Sequence, residues 1–275
     1  MNALCKDNIV DLFVWVDDSL RQLGVATNSN GRPPVLSRSE IVTILIWDGL
    51  AEAHRTLKDT YRWIKRDYGD CFPKLPAYQN FVLQAHNSLE AMSELLLGSL
   101  NYDAELRFAD STMLEVCALD RSNFHKVAKE AAKYGKNHQG WHYGFKLHAS
   151  IDEYGNLTGV CFTPADVYDA QRIDKLVRGK TKTLVGDSHY GASVMKRKIH
   201  RETGAVIIAQ PHYRQKKGLT TKEQRRLLRM RTKIEAVFDY LKEHMGMVTS
   251  FPRSVRGYFV HYVRILLGYQ MRRVS

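Results

Sequence analysis

The sequence predicts an α/β protein: a mixed sheet flanked by helices over residues 99–275, preceded by an all-α N-terminal domain over residues 1–98. Three observations predict it. Up to about Gly98 the apolar residues recur at spacings of three and four, the period of a helix face. Beyond it, short alternating runs of apolar and polar residues take over, the period of a strand. These runs come first in succession and then alternate with helical stretches, as in a mixed sheet packed by helices.

Taken in order, Ile9, Leu12, Phe13, Val16 and Leu20 mark the first helix, over Asn8–Leu23. An Asn-, Gly- and Pro-rich loop fills Gly24–Pro34. Ser37-Arg38-Ser39-Glu40 is a capping box that opens an apolar helix from about Ser39 to Ala51. Further helices are expected over Leu57–Asp67 and, after a break at Gly69–Pro76, over Tyr78–Leu97. Arg55, Lys58, Arg62, Lys65 and Arg66 give this region a helix-turn-helix-like character suited to DNA, or it forms a cap that packs or dimerises. Leu106–Asp110 reads as a short strand ending on its acid, followed by a polar, basic loop from Arg121 to Gly140. His142–Ile151 and Asn156–Thr163 read as strands joined through the Asp152–Gly155 turn. Then come a helix at Asp169–Val177, a strand at Thr183–Asp187, a helix at Gly191–Thr203 and a strand at Ala205–Ala209. A long basic helix over Thr221–His244 and a last helix over Val255–Arg272 close the chain.

The charge balance is one-sided: 41 Lys and Arg face 29 Asp and Glu in 275 residues, a net charge of +12. Such a surface favours a polyanion, because each neutralised phosphate releases counterions. Cys5, Cys71, Cys117 and Cys161 form no CxxC pair, which argues against a zinc knuckle and for free buried thiols in a reducing compartment. MNALCKDNIV has no basic region before an apolar run, so no secretory signal is expected. No stretch approaches the ~18 apolar residues of a membrane span. A cytoplasmic, nucleoid-associated protein with no membrane partner is expected.

Three acids carry the chemistry. Phosphodiester transfer needs an activated nucleophile and neutralised phosphate charge, and two divalent ions roughly 3.5–4 Å apart supply both. Mg²⁺ takes hard oxygen ligands and keeps several waters, so few protein ligands suffice. Asp110 and Asp187 at strand ends can converge, since neighbouring strands lie about 4.8 Å apart, and Glu235 on a helix packed across the sheet supplies the third ligand. Each acid singly also suits a local role: an Asx turn at Asp110, a helix cap at Asp187, an i,i+4 pair with Arg231 at Glu235. Together they predict a site for two Mg²⁺ ions, with Mn²⁺ able to substitute. The run Arg214, Lys216, Lys217, Lys222, Arg225, Arg226, Arg229, Arg231 and Lys233 is opposed only by Glu223. Beside a catalytic carboxylate it reads as a DNA track. Lys126, Lys129, Lys133 and Lys136 extend the basic surface. Lys146 and His148 share one strand face with His142, directed at DNA, solvent or a metal, while Trp141, Tyr143 and Phe145 alternate toward the core.

The residues also carry a resemblance. Arg231-Thr232-Lys233-Ile234-Glu235, continued to Lys242, has the form R-x3-E-x6-K. This resembles the signature helix of DDE transposases of bacterial insertion sequences. Gly144–His148 (GFKLH), Thr163–Asp169 (TPADVYD) and Val185–Gly191 (VGDSHYG) resemble three further elements of that group, in particular of the insertion sequence 982 family. The similarity covers about Leu106–Tyr269. It implies a ribonuclease-H-like catalytic core, metal-binding Asp110, Asp187 and Glu235, and DNA contacts by Arg231 and Lys242. Leu228 stands where the signature often has Tyr, and Ser188-His189 where Lys-Gly is commoner. His189 is placed to touch a base or the scissile phosphate, or is a solvated loop residue. The function implied is cleavage at insertion-sequence ends and strand transfer of the 3′-hydroxyl into target DNA. The partners implied are terminal-inverted-repeat DNA and target DNA, held by a homodimer on paired ends. The rival readings are a nuclease of the same fold that does not join ends and a non-catalytic domesticated DNA-binding protein.

Overall fold

The computed structural model describes residues 6–25, 34–52, 56–191, 193–210 and 221–274. In chain order, helices α1 (Lys6–Gln22), α2 (Arg38–Leu50), α3 (Leu57–Asp67), α4 (Tyr78–Asn87) and α5 (Leu89–Gly98) precede strand β1 (Leu106–Glu115). Strands β2 (Lys133–Asn137), β3 (Gly140–Ile151) and β4 (Leu157–Pro164) follow, then α6 (Ile173–Leu176), β5 (Thr183–Gly186), α7 (Ser193–Thr203) and β6 (Val206–Ala209). Helices α8 (Lys222–Met230), α9 (Thr232–Asp239) and α10 (Val255–Val274) complete it. They gather into two compact units.

The helical unit comprises Met1–Ser99, Leu241–Met247 and Phe251–Ser275. The expected division assigned everything after Gly98 to the catalytic part. The last helix instead packs on α2 and α5, and from Val260 to Gln270 it is buried on every side. The capping box forms as expected: Glu40 N–H donates to Ser37 Oγ at 3.1 Å and Ser37 N–H to Glu40 Oε2 at 2.6 Å. The single helix expected over Tyr78–Leu97 is broken at Ser88 into α4 and α5. Where α2 crosses α10, two glycines let the backbones touch. A Cβ on Gly49 would stand 2.5 Å from the Arg264 carbonyl oxygen, and one on Gly268 would stand 2.7 Å from the Gly49 carbonyl carbon. Both obstacles are backbone and cannot rotate away. Gly268→Ala is therefore expected to destabilise the helical unit by about 1–3 kcal/mol, read as a lower denaturant midpoint; an unchanged midpoint would show that the helices can part. Arg55 of the basic N-terminal set lies outside the described residues. Lys58, Arg62, Lys65 and Arg66 are exposed on α3.

The second unit, Leu100–Tyr240 with Val248–Ser250, holds the sheet. Its strand order is β2-β3-β1-β5-β6, with β4 also on β3. β1 pairs antiparallel with β3 and parallel with β5, and β5 pairs parallel with β6. This is the expected mixed sheet flanked by helices, of ribonuclease-H-like form. β1 runs beyond its acid to Glu115, so Asp110 lies within a strand rather than at its end. The segment expected to be a loop contains β2, whose polar sequence KYGKN becomes a strand only by pairing with β3. The long basic helix is divided at Arg231 into α8 and α9 and ends in a π turn, Tyr240–His244. Arg107 is wholly buried, and its guanidinium donates to the carbonyls of Thr158 (2.8 Å), Ala104 (3.1 Å) and Tyr102 (3.2 Å). Burial draws its pKa down to about 10, so it remains a cation.

Among the described residues no helix is long and apolar enough to cross a membrane. Cys71, Cys117 and Cys161 are free thiols, half-buried rather than buried; Cys5 lies outside the described residues.

Candidate active site

The strand register brings two acids level. Leu106 pairs with Thr183, Arg107 with Leu184 and Phe108 with Val185. Continuing by two residues brings Asp187 level with Asp110, just where β5 has ended and its chain is free to turn, and the Asp187 charge acts on the Asp110 carboxyl. Gly186 makes that turn possible, since a Cβ there would stand 2.7 Å from the ring of Tyr190, which folds back beneath it into the core. The following turn, Ser188–Gly191, is pinned by Asp187, whose Oδ1 accepts the His189 N–H at 2.9 Å.

Glu235 arrives from α9, which packs on β1. Ile234, Val237 and Phe238 are buried and turn Glu235 outward to a half-exposed position. Arg231, at the junction of α8 and α9, joins the acids. One guanidinium nitrogen lies 2.5 Å from Asp110 Oδ2 and the other 2.6 Å from Glu235 Oε1. The i,i+4 pair anticipated for Glu235 therefore exists, and it is shared with an acid 121 residues away. Burial pushes the Asp110 carboxyl up to about 6. The carboxylates of Asp187 and Asp169 push in the same direction, while the Ser111 N–H and Arg231 offset part of the rise. The site carries more negative charge than one arginine balances. Its donor set, carboxylate oxygens alone, suits a hard divalent cation. Among the described residues no three Asp, Glu, His or Cys side chains stand in metal-holding geometry. The Arg231 guanidinium lies between Asp110 and Glu235.

Lys146 and His148 are not on a DNA-facing surface. Both faces of β3 are covered from Tyr143 onward, so the alternation that put them outside only chose which interior they enter. Both meet Asp169, which no role had been assigned. Lys146 Nζ lies 3.2 Å from its Oδ1 and donates to the Val167 carbonyl at 2.8 Å. His148 Nδ1 lies 3.5 Å away, and its Nε2 meets Thr163 Oγ1 at 2.9 Å. Burial holds the His148 imidazole down to about 4, with Asp169 opposing and Lys146 and Arg172 reinforcing. It is neutral. Asp169 Oδ2 also lies 3.8 Å from His189 Nδ1, which reaches Asp187 Oδ2 at 3.1 Å. A chain of contacts thus runs from Lys146 through Asp169 and His189 to Asp187. The signal for Asp169 in the sequence was its place at the end of TPADVYD, immediately before a short apolar helix. His189 remains mostly exposed. His142, on the same face as Lys146 and His148, contacts Glu115 and Asn137.

Arg225, Arg226 and Arg229 are exposed on α8, opposite the buried Leu227, and Lys233 is exposed on α9. Arg226 pairs with Glu223 at 3.6 Å, and Lys233 Nζ donates to the Glu153 carbonyl at 2.7 Å. Arg214, Lys216 and Lys217 lie outside the described residues. Lys242 is half-buried on the π turn, in the helical unit.

A mixed sheet with acids from its central strand, from the end of the adjoining parallel strand and from a helix across the same face defines a ribonuclease-H-like catalytic domain. Residues 101–255 match the family model of the transposase DDE domain. The match spans more than half the chain, and the protein belongs to this transposase family. A comparison with curated proteins finds no match.

Proposed function

We propose that the protein cuts DNA at the ends of an insertion sequence and joins the freed 3′-hydroxyl to target DNA. The observation that carries this is the meeting of Asp110 and Glu235 on Arg231 beside Asp187, next to an exposed arginine face on α8. Transposases of this family generally use divalent metal ions. Asp110, Asp187 and Glu235 would hold two Mg²⁺ ions, or Mn²⁺ in their place; when bound, such ions activate the attacking oxygen and neutralise the phosphate. His189 orients Asp187. Arg225, Arg226, Arg229 and Lys233 follow the phosphate backbone. Arg231 holds the acids together until a phosphate competes for its guanidinium. The helical unit presents the basic side of α3 to DNA and supports a homodimer on paired ends, and the protein works at the nucleoid.

The test is incubation with Mg²⁺ of a labelled duplex carrying the DNA that flanks the coding region, plus a target plasmid. A nick releasing a 3′-hydroxyl, followed by a joined product, is expected. Nicking without joining would make the protein a nuclease; binding without nicking would leave a DNA-binding protein.

Arg231 gives a sharper expectation. As the cation between the acids it competes with metal, so Arg231→Ala is expected to tighten Mn²⁺ binding without DNA by roughly tenfold. It is also expected to weaken DNA binding. In the wild type Mn²⁺ affinity should rise with pH through about 6, as the Asp110 proton ceases to compete, and in the variant the rise should move to higher pH, because Arg231 no longer holds that carboxyl down. Looser Mn²⁺ binding in the variant would show that Arg231 builds the site rather than holding its place.

A further inference from the structure

Lys136 is paired with Trp141 and Tyr134 with Tyr143 across the β2–β3 hairpin, so all four side chains share one face. Trp141 is 56% exposed, Tyr134 41% and Phe124, in the adjoining turn, 82%. Tyr134 and Trp141 each have a partner. The Tyr134 hydroxyl meets Ser122 Oγ at 2.8 Å and donates to Asn123 Oδ1 at 3.2 Å, and its ring lies 4.9 Å from that of Tyr143. Lys136 Nζ stands 5.7 Å above the Trp141 ring. On the opposite face His142 contacts Glu115 at the end of β1 and Asn137 beside the hairpin turn, which ties the hairpin to β1. Expectation had placed Trp141 in the core; it lies beyond the covered part of β3.

Charge and direction identify the occupant. From Arg121 to His142 there are five Lys and Arg against one Glu. Asp110 pairs with Ala149 on β3. Trp141 lies eight residues from Ala149, an even number, so it shares the sheet face of Asp110, at about 26 Å along the strand. Exposed rings with interleaved lysines suit unpaired bases, whose faces are free to stack, better than a closed duplex, whose bases face one another.

We infer that the Trp141 face of the β2–β3 hairpin is a stacking site for a single-stranded stretch of DNA leaving the catalytic carboxylates. The inference rests on the proposed function only for the identity of the polymer, and its test is made in EDTA, where no cutting occurs. Anisotropy would compare a duplex of about 20 base pairs with the same duplex bearing a single-stranded extension of about ten nucleotides, long enough at ~3.4 Å per step to span the distance. The full-length wild type is expected to prefer the extended DNA. Trp141→Ala should lose about fivefold or more of its affinity for the extended form and stay within about twofold on the blunt duplex, while Trp141→Phe retains the preference. The exposed position makes each variant foldable, and a circular dichroism spectrum matching wild type verifies it. Equal affinities of wild type and Trp141→Ala for the extended DNA would overturn the inference. So would an equal loss on both DNAs, or a changed sedimentation coefficient without a change in DNA preference, which would assign the face to a protein contact. A failure of cleavage with this preference intact would count against the proposed function alone.

Discussion

Asp187→Asn is expected to reduce end cleavage by on the order of 10³-fold or more while leaving the fold and DNA binding intact. Asp110→Asn and Glu235→Gln should do the same. Each replacement keeps the shape of the side chain and removes the charge a divalent cation needs. Asp187 is the most direct test, because among the described residues its side chain meets the adjacent turn and His189 rather than Arg231. Asp110 and Glu235 also lose their pairing with Arg231, so their variants need a binding control. Asp169→Asn is expected to cost less, about 10–100-fold, as befits a residue that orients a ligand from behind. It acts through His189 on Asp187 and through its charge on Asp110. If Asp169→Asn were as inactive as Asp187→Asn, the acid on the far side of the sheet would belong among the ligands. If all four variants cut like wild type, the site has been misplaced.

The sequence was most readable where the signal was local. The Ser37–Glu40 box, α3 and the turn at Asp152–Gly155 are specified by residues within four positions of one another, and each forms as expected. The elements around Asp110, Asp187 and Glu235 were readable too, since a strand, a strand end and a helix need only local residue type and periodicity. What failed to show depends on distant partners. Nothing in KYGKN marks a strand until β3 is beside it. The period-2 pattern of β3 separated Lys146 and His148 correctly from their neighbours, yet said nothing of a second layer covering their face. Asp169 and Arg231 have roles that exist only after residues far apart in sequence meet. The placement of α10 is of the same kind, since the close approach of Gly49 on α2 and Gly268 on α10 joins residues far apart in sequence.

Asp48→Asn is expected to destabilise the helical unit by about 3–5 kcal/mol, the largest stability loss foreseen for a single substitution in this chain. Asp48 on α2 and Arg264 on α10 form an ion pair at 2.6 Å, each all but excluded from solvent. Their attraction does little more than offset their desolvation, but removing one charge strands the other. Arg264 also contacts His261 Nδ1 at 3.1 Å and Thr60 Oγ1 at 3.4 Å, neither of which carries a negative charge. The double variant Asp48→Leu/Arg264→Met removes both charges and should recover most of the loss, a non-additivity of several kcal/mol in denaturant titrations. Additive losses would mean that the pair is not the contact that matters. The consequence extends to DNA, because Thr60 lies on α3 and the exposed Lys58, Arg62, Lys65 and Arg66 are on the same helix. If α3 tracks phosphates, Asp48→Asn should lower DNA affinity and flatten its dependence on salt, although residue 48 itself is buried and touches no DNA.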